Sequence, residues 1–225
     1  MGPAPLPLPA ALFCVDDNFG DQPRARRAGL ALQRPAVLRP YLTGAPIEDV
    51  LIVAADPRAL ASTGADVLCP RGCDRLDVGV SLAAIVGDGP PPRIAGWAAV
   101  LDFLRLDVPQ TQTYLARSFP THKVISQIVA ADELDPSRGL RLRLTTDGAT
   151  RQDSSTARMI ATPHELVAAI ARRCALRAGD IVLTGSPAGR PADTDGPWIA
   201  PGCLVEGEIE GLGTVSARVV AEGPA

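Results

Sequence analysis

Hydrophobic positions in this chain fall in short runs broken by glycine and proline, with few long helical stripes. Ala11 to Val15 is apolar and then breaks at Asp16-Asp17-Asn18-Phe19-Gly20, as a strand feeding a loop does. Val50 to Ala54 predicts a second short buried strand. From Leu76 to Gly87 the pattern alternates and then turns wholly apolar, which marks a strand entering a core. A period of two puts Asp77, Gly79 and Ser81 on one face of it. After the Pro90-Pro91-Pro92 turn, Ile94 to Leu106 is a second long apolar stretch whose single acid is Asp102. Ala178 to Gly189 reads as a turn, a strand and a Gly/Pro loop, and residues 203 to 221 as a closing hairpin around Gly211 and Gly213. One helix is announced near residues 163 to 175. Thr162 is its N-cap, Pro163 opens the first turn, Glu165 completes a capping box, and Leu166, Val167, Ile170 and Cys174 form its apolar stripe. His164 then falls in an exposed first turn.

Composition sharpens this picture. Twenty-two Pro and 21 Gly favour many strands and turns, so the expected class is mainly β or α+β. A chain of 225 residues fills one core, giving a single domain over 11–225 behind a flexible Pro-rich tail at 1–10. A net charge of -3 argues against a nucleic-acid partner. The opening residues lack the basic start of a signal peptide, and no run reaches about 18 apolar residues, so a cytoplasmic protein without a membrane span is expected. The five cysteines are Cys14, Cys69, Cys73, Cys174 and Cys203; they form no C-x-x-C unit and are joined by only two His, which speaks against structural zinc. Cys69 and Cys73 are read as ordinary thiols in a reducing compartment.

Two segments carry a resemblance. Gly179-Asp180-Ile181-Val182-Leu183-Thr184-Gly185-Ser186-Pro187-Ala188-Gly189 is similar to the G-D-x-I-x-T-G-T-P-x-G segment of the fumarylacetoacetate hydrolase family, and Gln152-Asp153-Ser154-Ser155-Thr156 with Met159-Ile160 to its Q-D-S-S-T-x-x-M-I stretch. With Asn18-Phe19 near the start and Gly211 and Gly213 near the end, the likeness runs from about residue 11 to residue 221. It implies a mixed β-roll of antiparallel sheets in a homodimer. It also implies magnesium or manganese held by three carboxylates and used to chelate a 1,3-dicarbonyl or 2-oxo acid, which is then hydrolysed, decarboxylated or tautomerised.

Carried over position by position, that chemistry loses most of its residues. The family's two strand glutamates align with Gly79 and Ser81, and its third ligand with Asp102. Asp77 shares their face but stands one strand repeat away, about 6 to 7 Å. The family's base and its orienting acid align with Gln22 and Ala25, and its active-site lysine with Arg117. One aspartate does not substitute for three around magnesium, so no metal cofactor is expected.

The surviving polar set gives the candidates. Asp102, an acid in an apolar run, is expected to have a raised pKa and to act as general acid or base, unless it is a structural aspartate paired with an Arg or with backbone amides. On the catalytic reading, Asp102→Asn leaves the melting temperature almost unchanged. Arg117, Lys123 and His122 are candidate donors to a bound carboxylate or enolate, and Asp17, beside Asp16, is a replacement acid. Thr184, Gly185, Gln22, Asn18 and Gln152 complete the expected substrate contacts, with the amides of the Gly185 to Gly189 loop open to an anion. The expected function is a metal-independent enzyme acting on an enolisable β-dicarbonyl or 2-oxo acid, in a specialised biosynthetic pathway. The alternative is a non-catalytic binding or partner subunit that retains the fold.

Overall fold

The computed structural model describes residues 9–16, 18–21 and 51–223; Asp17, Gln22 and residues 1–8 lie outside the described residues. Thirteen strands among the described residues form two sheets. The first runs in the order β2 (Leu51–Ala55), β1 (Leu12–Asp16), β11 (Ile181–Leu183), β5 (Leu76–Val86), β6 (Ile94–Arg105), β7 (Lys123–Ile125), β3 (Leu60–Ser62), with β8 (Val129–Ala130) also pairing with β6. The second runs β10 (Ala149–Ser155), β9 (Arg141–Thr146), β12 (Leu204–Ile209), β13 (Gly213–Ala221), β4 (Asp66–Cys69). Most pairings are antiparallel, while β1 on β11, β3 on β7 and β4 on β13 are parallel. The mainly β architecture is the one expected.

The two sheets pack through β5 and β6 of the first against β9, β12 and β13 of the second. Val78, Val80, Leu82 and Ala84 of β5 and Ala99, Leu101 and Phe103 of β6 fill that interface with Leu142, Leu144, Val205 and Val215. Each fully buried Val or Leu of this kind contributes about 1.5–3 kcal/mol. Gly207 of β12 permits the close approach, because a Cβ there would stand 2.9 Å from Leu101 and 3.0 Å from Val80. All eleven residues of β5 are buried, so its other face is covered too. There Ala83, Ile85, Ala98, Val100 and Ile125 form a second apolar cluster with Leu12, Cys14 and Leu183. By the alternation of the strands, this second face continues into Ser81, Gly79 and Asp77 on β5 and Asp102 on β6. That change from apolar to polar is what places the site.

Three α-helices are present among the described residues: α1 (Thr113–Arg117), α2 (Pro163–Ala171) and α3 (Pro191–Thr194). In α2 the Glu165 amide donates to Thr162 Oγ1, and the Thr162 amide donates to Glu165 Oε2 at 2.7 Å. Leu166, Val167, Ala169 and Ile170 are its buried stripe. The helix stops at Ala171, earlier than the expected 175, and Cys174 is exposed beyond it, so Cys174 does not belong to the stripe. No described helix is long and apolar enough to cross a membrane.

Candidate functional site

β6 places Asp102 between Gly79 on β5 and Lys123 on β7, its register partners on either side. Lys123 Nζ stands 2.9 Å from Asp102 Oδ1 and donates to the Phe103 carbonyl at 2.8 Å. α1 ends at Arg117, whose Nη1 lies 3.5 Å from Asp102 Oδ2 and whose Nη2 donates to Asp16 at the end of β1. The next residue, Ser118, fixes that helix end by accepting from the Asp56 amide at 2.9 Å. A third cation comes from the loop after β11. Arg190 Nε donates to Asp77 Oδ2 at 2.8 Å, its Nη1 is 3.8 Å from Asp102 Oδ2, and its Nη2 donates to the Asp102 carbonyl at 3.3 Å. Three carboxylates and three cations thus interlock in one buried network, in which Asp16, with 12% of its side chain exposed, is the most accessible member.

The electrostatics correct one expectation. Burial alone pushes the Asp102 carboxyl up, but the charges of Lys123, Arg117 and Arg190 outweigh it and hold the pKa at about 2. Asp102 is therefore a permanently ionised anchor at neutral pH and not an acid poised for proton transfer. Burial disfavours the charged guanidiniums of Arg117 and Arg190, yet Asp16, Asp77 and Asp102 drive both above the usual arginine value. The Cys14 thiol behind the network is pushed up to about 11 by burial and by Asp102.

The remaining candidates are built into the scaffold. Asn18, fully buried, donates to the Ala161 and Thr184 carbonyls and accepts from the Ala161 amide, which ties the exit of β1 to two neighbouring segments. Thr184 donates its hydroxyl to the Leu82 carbonyl at 3.0 Å. Gln152 accepts from the Val80 amide and donates to the Pro187 carbonyl, linking the two sheets to the loop after β11. In that loop Gly185 adopts φ +97°, and a Cβ there would stand 3.0 Å from the Val15 carbonyl. Two of the loop amides expected to be open to an anion, those of Ala188 and Gly189, are already engaged. Ala188 donates to Asp21, while Gly189 and Arg190 donate to Asp193.

His122 is buried between Phe103 and Phe119, with Nε2 3.0 Å from the Leu68 carbonyl. It does not reach Asp102 as a donor. Burial, with help from Lys123 and Arg105, lowers its pKa from 6.5 to about 3. Between those values the unfolded chain binds a proton that the folded chain does not, so stability falls as pH drops from about 6.5 towards 3. The slope of unfolding free energy is expected to approach about 1.4 kcal/mol per pH unit below pH 6. His122→Gln removes this contribution; urea denaturation of parent and variant at pH 7 and 5 compares the two slopes, and equal slopes refute the assignment.

The divalent ion implied by the resemblance does not fit these residues. A Cβ at Gly79 would stand 2.5 Å from Ser186 Oγ and 3.3 Å from Arg190 Nη1, so a longer acid has no space there. The guanidinium of Arg190 already lies between Asp77 and Asp102, and it would repel a second cation. Arg190 escaped the sequence reading. Its available signal was the unmatched pair of acids on neighbouring strands, Asp77 and Asp102, with an arginine directly after the Gly/Pro loop.

Comparison with known proteins agrees with the fold and narrows the class. The model of the fumarylacetoacetate (FAA) hydrolase C-terminal domain matches residues 11–220. An uncharacterised protein of Pyrococcus horikoshii is 32% identical over 192 residues, covering 79% of this chain and 80% of its own. The mitochondrial oxaloacetate tautomerase of Mus musculus is 26% identical, with 79% and 80% covered. Among solved structures, 5-carboxymethyl-2-hydroxymuconate delta-isomerase from Mycobacterium smegmatis superposes with a TM-score of 0.77 at 25% identity, over 96% of this chain and 81% of that one. With a family model spanning nearly the whole chain, and hydrolase, tautomerase and isomerase names among its likenesses, the chain belongs to the fumarylacetoacetate hydrolase family.

Proposed function

We propose that this protein is a metal-independent enzyme that moves a proton on a small, anionic, enolisable carbonyl compound of the 2-oxo acid or β-dicarbonyl class, as a cytoplasmic homodimer. The observation that carries this reading is the convergence of Arg117, Lys123 and Arg190 on an ionised Asp102. Such fixed cations favour the negative charge that develops on an enolate, without reorganisation during the reaction. Arg117 is the cation that meets Asp16, the most accessible member of the network. Its planar fork suits a carboxylate but does not shuttle protons. Asp16 is then the proton acceptor, and Asp102 positions the cations around it. The tautomerase and isomerase names among the relatives describe proton movement of this kind on oxaloacetate and on a hydroxymuconate.

One observation favours a second reading, a non-catalytic subunit: Asp16, Asp77 and Asp102 balance Arg117, Lys123 and Arg190, so the buried network is neutral as it stands. A single assay separates the two. EDTA-treated protein is mixed with the enol form of oxaloacetate and with a panel of small 2-oxo acids, and loss of enol absorbance is followed. Acceleration that persists in EDTA, with Asp16→Asn losing on the order of 10² of the rate, is expected. No acceleration on any member of the panel favours the non-catalytic subunit, and activity that appears only with added Mg2+ or Mn2+ overturns metal independence.

A further inference from the structure

Asp77 and Asp102 stand on neighbouring strands, and the guanidinium of Arg190 is wedged between them, 2.8 Å from one carboxylate and 3.8 Å from the other. All three side chains are at most 5% exposed. Two buried carboxylates this close are tolerable only with positive charge at hand. The space for that charge is created by Gly79, since any side chain there would meet Ser186 and Nη1. Its position is enforced from the backbone. Asp193 accepts from the Gly189 and Arg190 amides, and Asp77 accepts from the Ala192 amide at 3.2 Å, so the root of the arginine and its target are tied to the same short helix.

We propose that Arg190 is the chain's own substitute for a divalent cation: its guanidinium holds the charge position between Asp77 and Asp102, and removing the side chain converts that position into a cation-binding site. The inference rests on the metal-free reading above and adds a claim of its own, that charge deleted from the chain can be resupplied from solution. The donors that would remain are hard oxygens: the carboxylates of Asp77 and Asp102, the Asp102 carbonyl now contacted by Nη2, and the Ser186 hydroxyl beside Gly79. Oxygen ligands of this type suit Mg2+ and Mn2+.

The test titrates Mn2+ alone into EDTA-treated, desalted parent, Arg190→Ala and Arg190→Lys proteins, reading bound Mn2+ by electron paramagnetic resonance and melting temperature by circular dichroism. The parent is expected to bind no stoichiometric Mn2+ and to melt at the same temperature throughout. Arg190→Ala is expected to melt on the order of 10 °C lower without metal, to bind one Mn2+ per chain, and to recover a large part of the loss in millimolar Mn2+. Arg190→Lys keeps the charge and is expected to ignore Mn2+. A folded Arg190→Ala protein that binds no Mn2+ overturns this inference and leaves the metal-free reading standing, whereas stoichiometric Mn2+ on the parent overturns both. If Arg190→Ala does not fold without metal, recovery of its native near-ultraviolet spectrum on refolding with Mn2+ supports the inference, and failure to recover overturns it. An Arg190→Lys protein that responds like Arg190→Ala overturns the charge argument.

Discussion

Asp102→Asn is expected to lower the melting temperature by on the order of 10 °C, although the two side chains are almost the same shape. Shape alone suggests a change of a few degrees, and the network around the residue corrects that expectation. Asparagine keeps the volume but removes the negative charge that Lys123, Arg117 and Arg190 surround. Lys123 has no exposed surface, and its other hydrogen-bond acceptors are the carbonyls of Phe103 and His122. Removing one partner of a buried ion pair costs about 3–5 kcal/mol, and for a chain of this length each kcal/mol is worth about 2–4 °C. Because the folded pKa of Asp102 lies near 2, below its usual value of 3.8, this stabilisation is present above about pH 4 and is lost as pH falls to about 2. The difference between parent and variant should therefore shrink across that window. Thermal melts at pH 7 and in steps from pH 4 to 2 check both parts, and an Asp102→Asn protein that melts within two or three degrees of the parent at pH 7 would falsify the network's role.

Gly189→Ala is expected to destabilise the fold by several kcal/mol, about 2–6, through backbone alone. Gly189 has φ +103°, where an L side chain is strained, and an added Cβ would be driven into the carbonyl oxygen of Arg151. That oxygen belongs to β10, so relief requires the strand or the loop to move. The loop carries Arg190 into the network and receives Gln152 at Pro187, so a displaced loop also unseats the guanidinium. Urea denaturation reads the loss directly. Gly202→Ala is the comparison, because Gly202 also has positive φ but nothing lies within 4 Å of its Cβ position. If the two variants lose equal stability, the contact with β10 is not the cause.

Much of the scaffold was readable from the chain because its signals are local. The Leu76 to Gly87 alternation became β5, the single acid in the Ile94 to Leu106 run became Asp102 on β6, and Thr162 with Glu165 capped the one helix that was announced. Asp102, Arg117 and Lys123 were named as candidates, and the fold brings the charged atoms of Arg117 and Lys123 within 3.5 Å of the Asp102 carboxylate. What local patterning does not contain is the partner of each charge. The raised pKa expected for Asp102 followed correctly from an apolar neighbourhood, and it failed because three cations arrive from α1, β7 and the loop after β11, up to 88 residues away in sequence. Arg190 was invisible for the same reason. Its function depends on the space left by Gly79, a relation between segments 111 residues apart that no periodicity encodes. Thr184, Asn18 and Gln152 matched a motif well, yet a motif match does not distinguish a residue that meets a ligand from one that knits the loops together, as these three do.

The parallel pairing of β1 with β11 joins Leu12 to Ile181 across 169 residues of chain. β11 also lies between β1 and β5, so β1, the first of the described strands, cannot reach the centre of its sheet until β11 has been made. At about 5–20 residues per second of synthesis, that interval is roughly 8 to 34 s. During it, β1 can pair with β2 on one side, while its opposite edge and the facing edge of β5 remain open. Long-range closure of this kind slows folding, and unpaired strand edges are the surfaces on which nascent chains associate wrongly. The three-residue strand Ile181–Leu183 thus acts as the keystone of assembly, and the timing of its arrival sets how long the newborn chain is vulnerable.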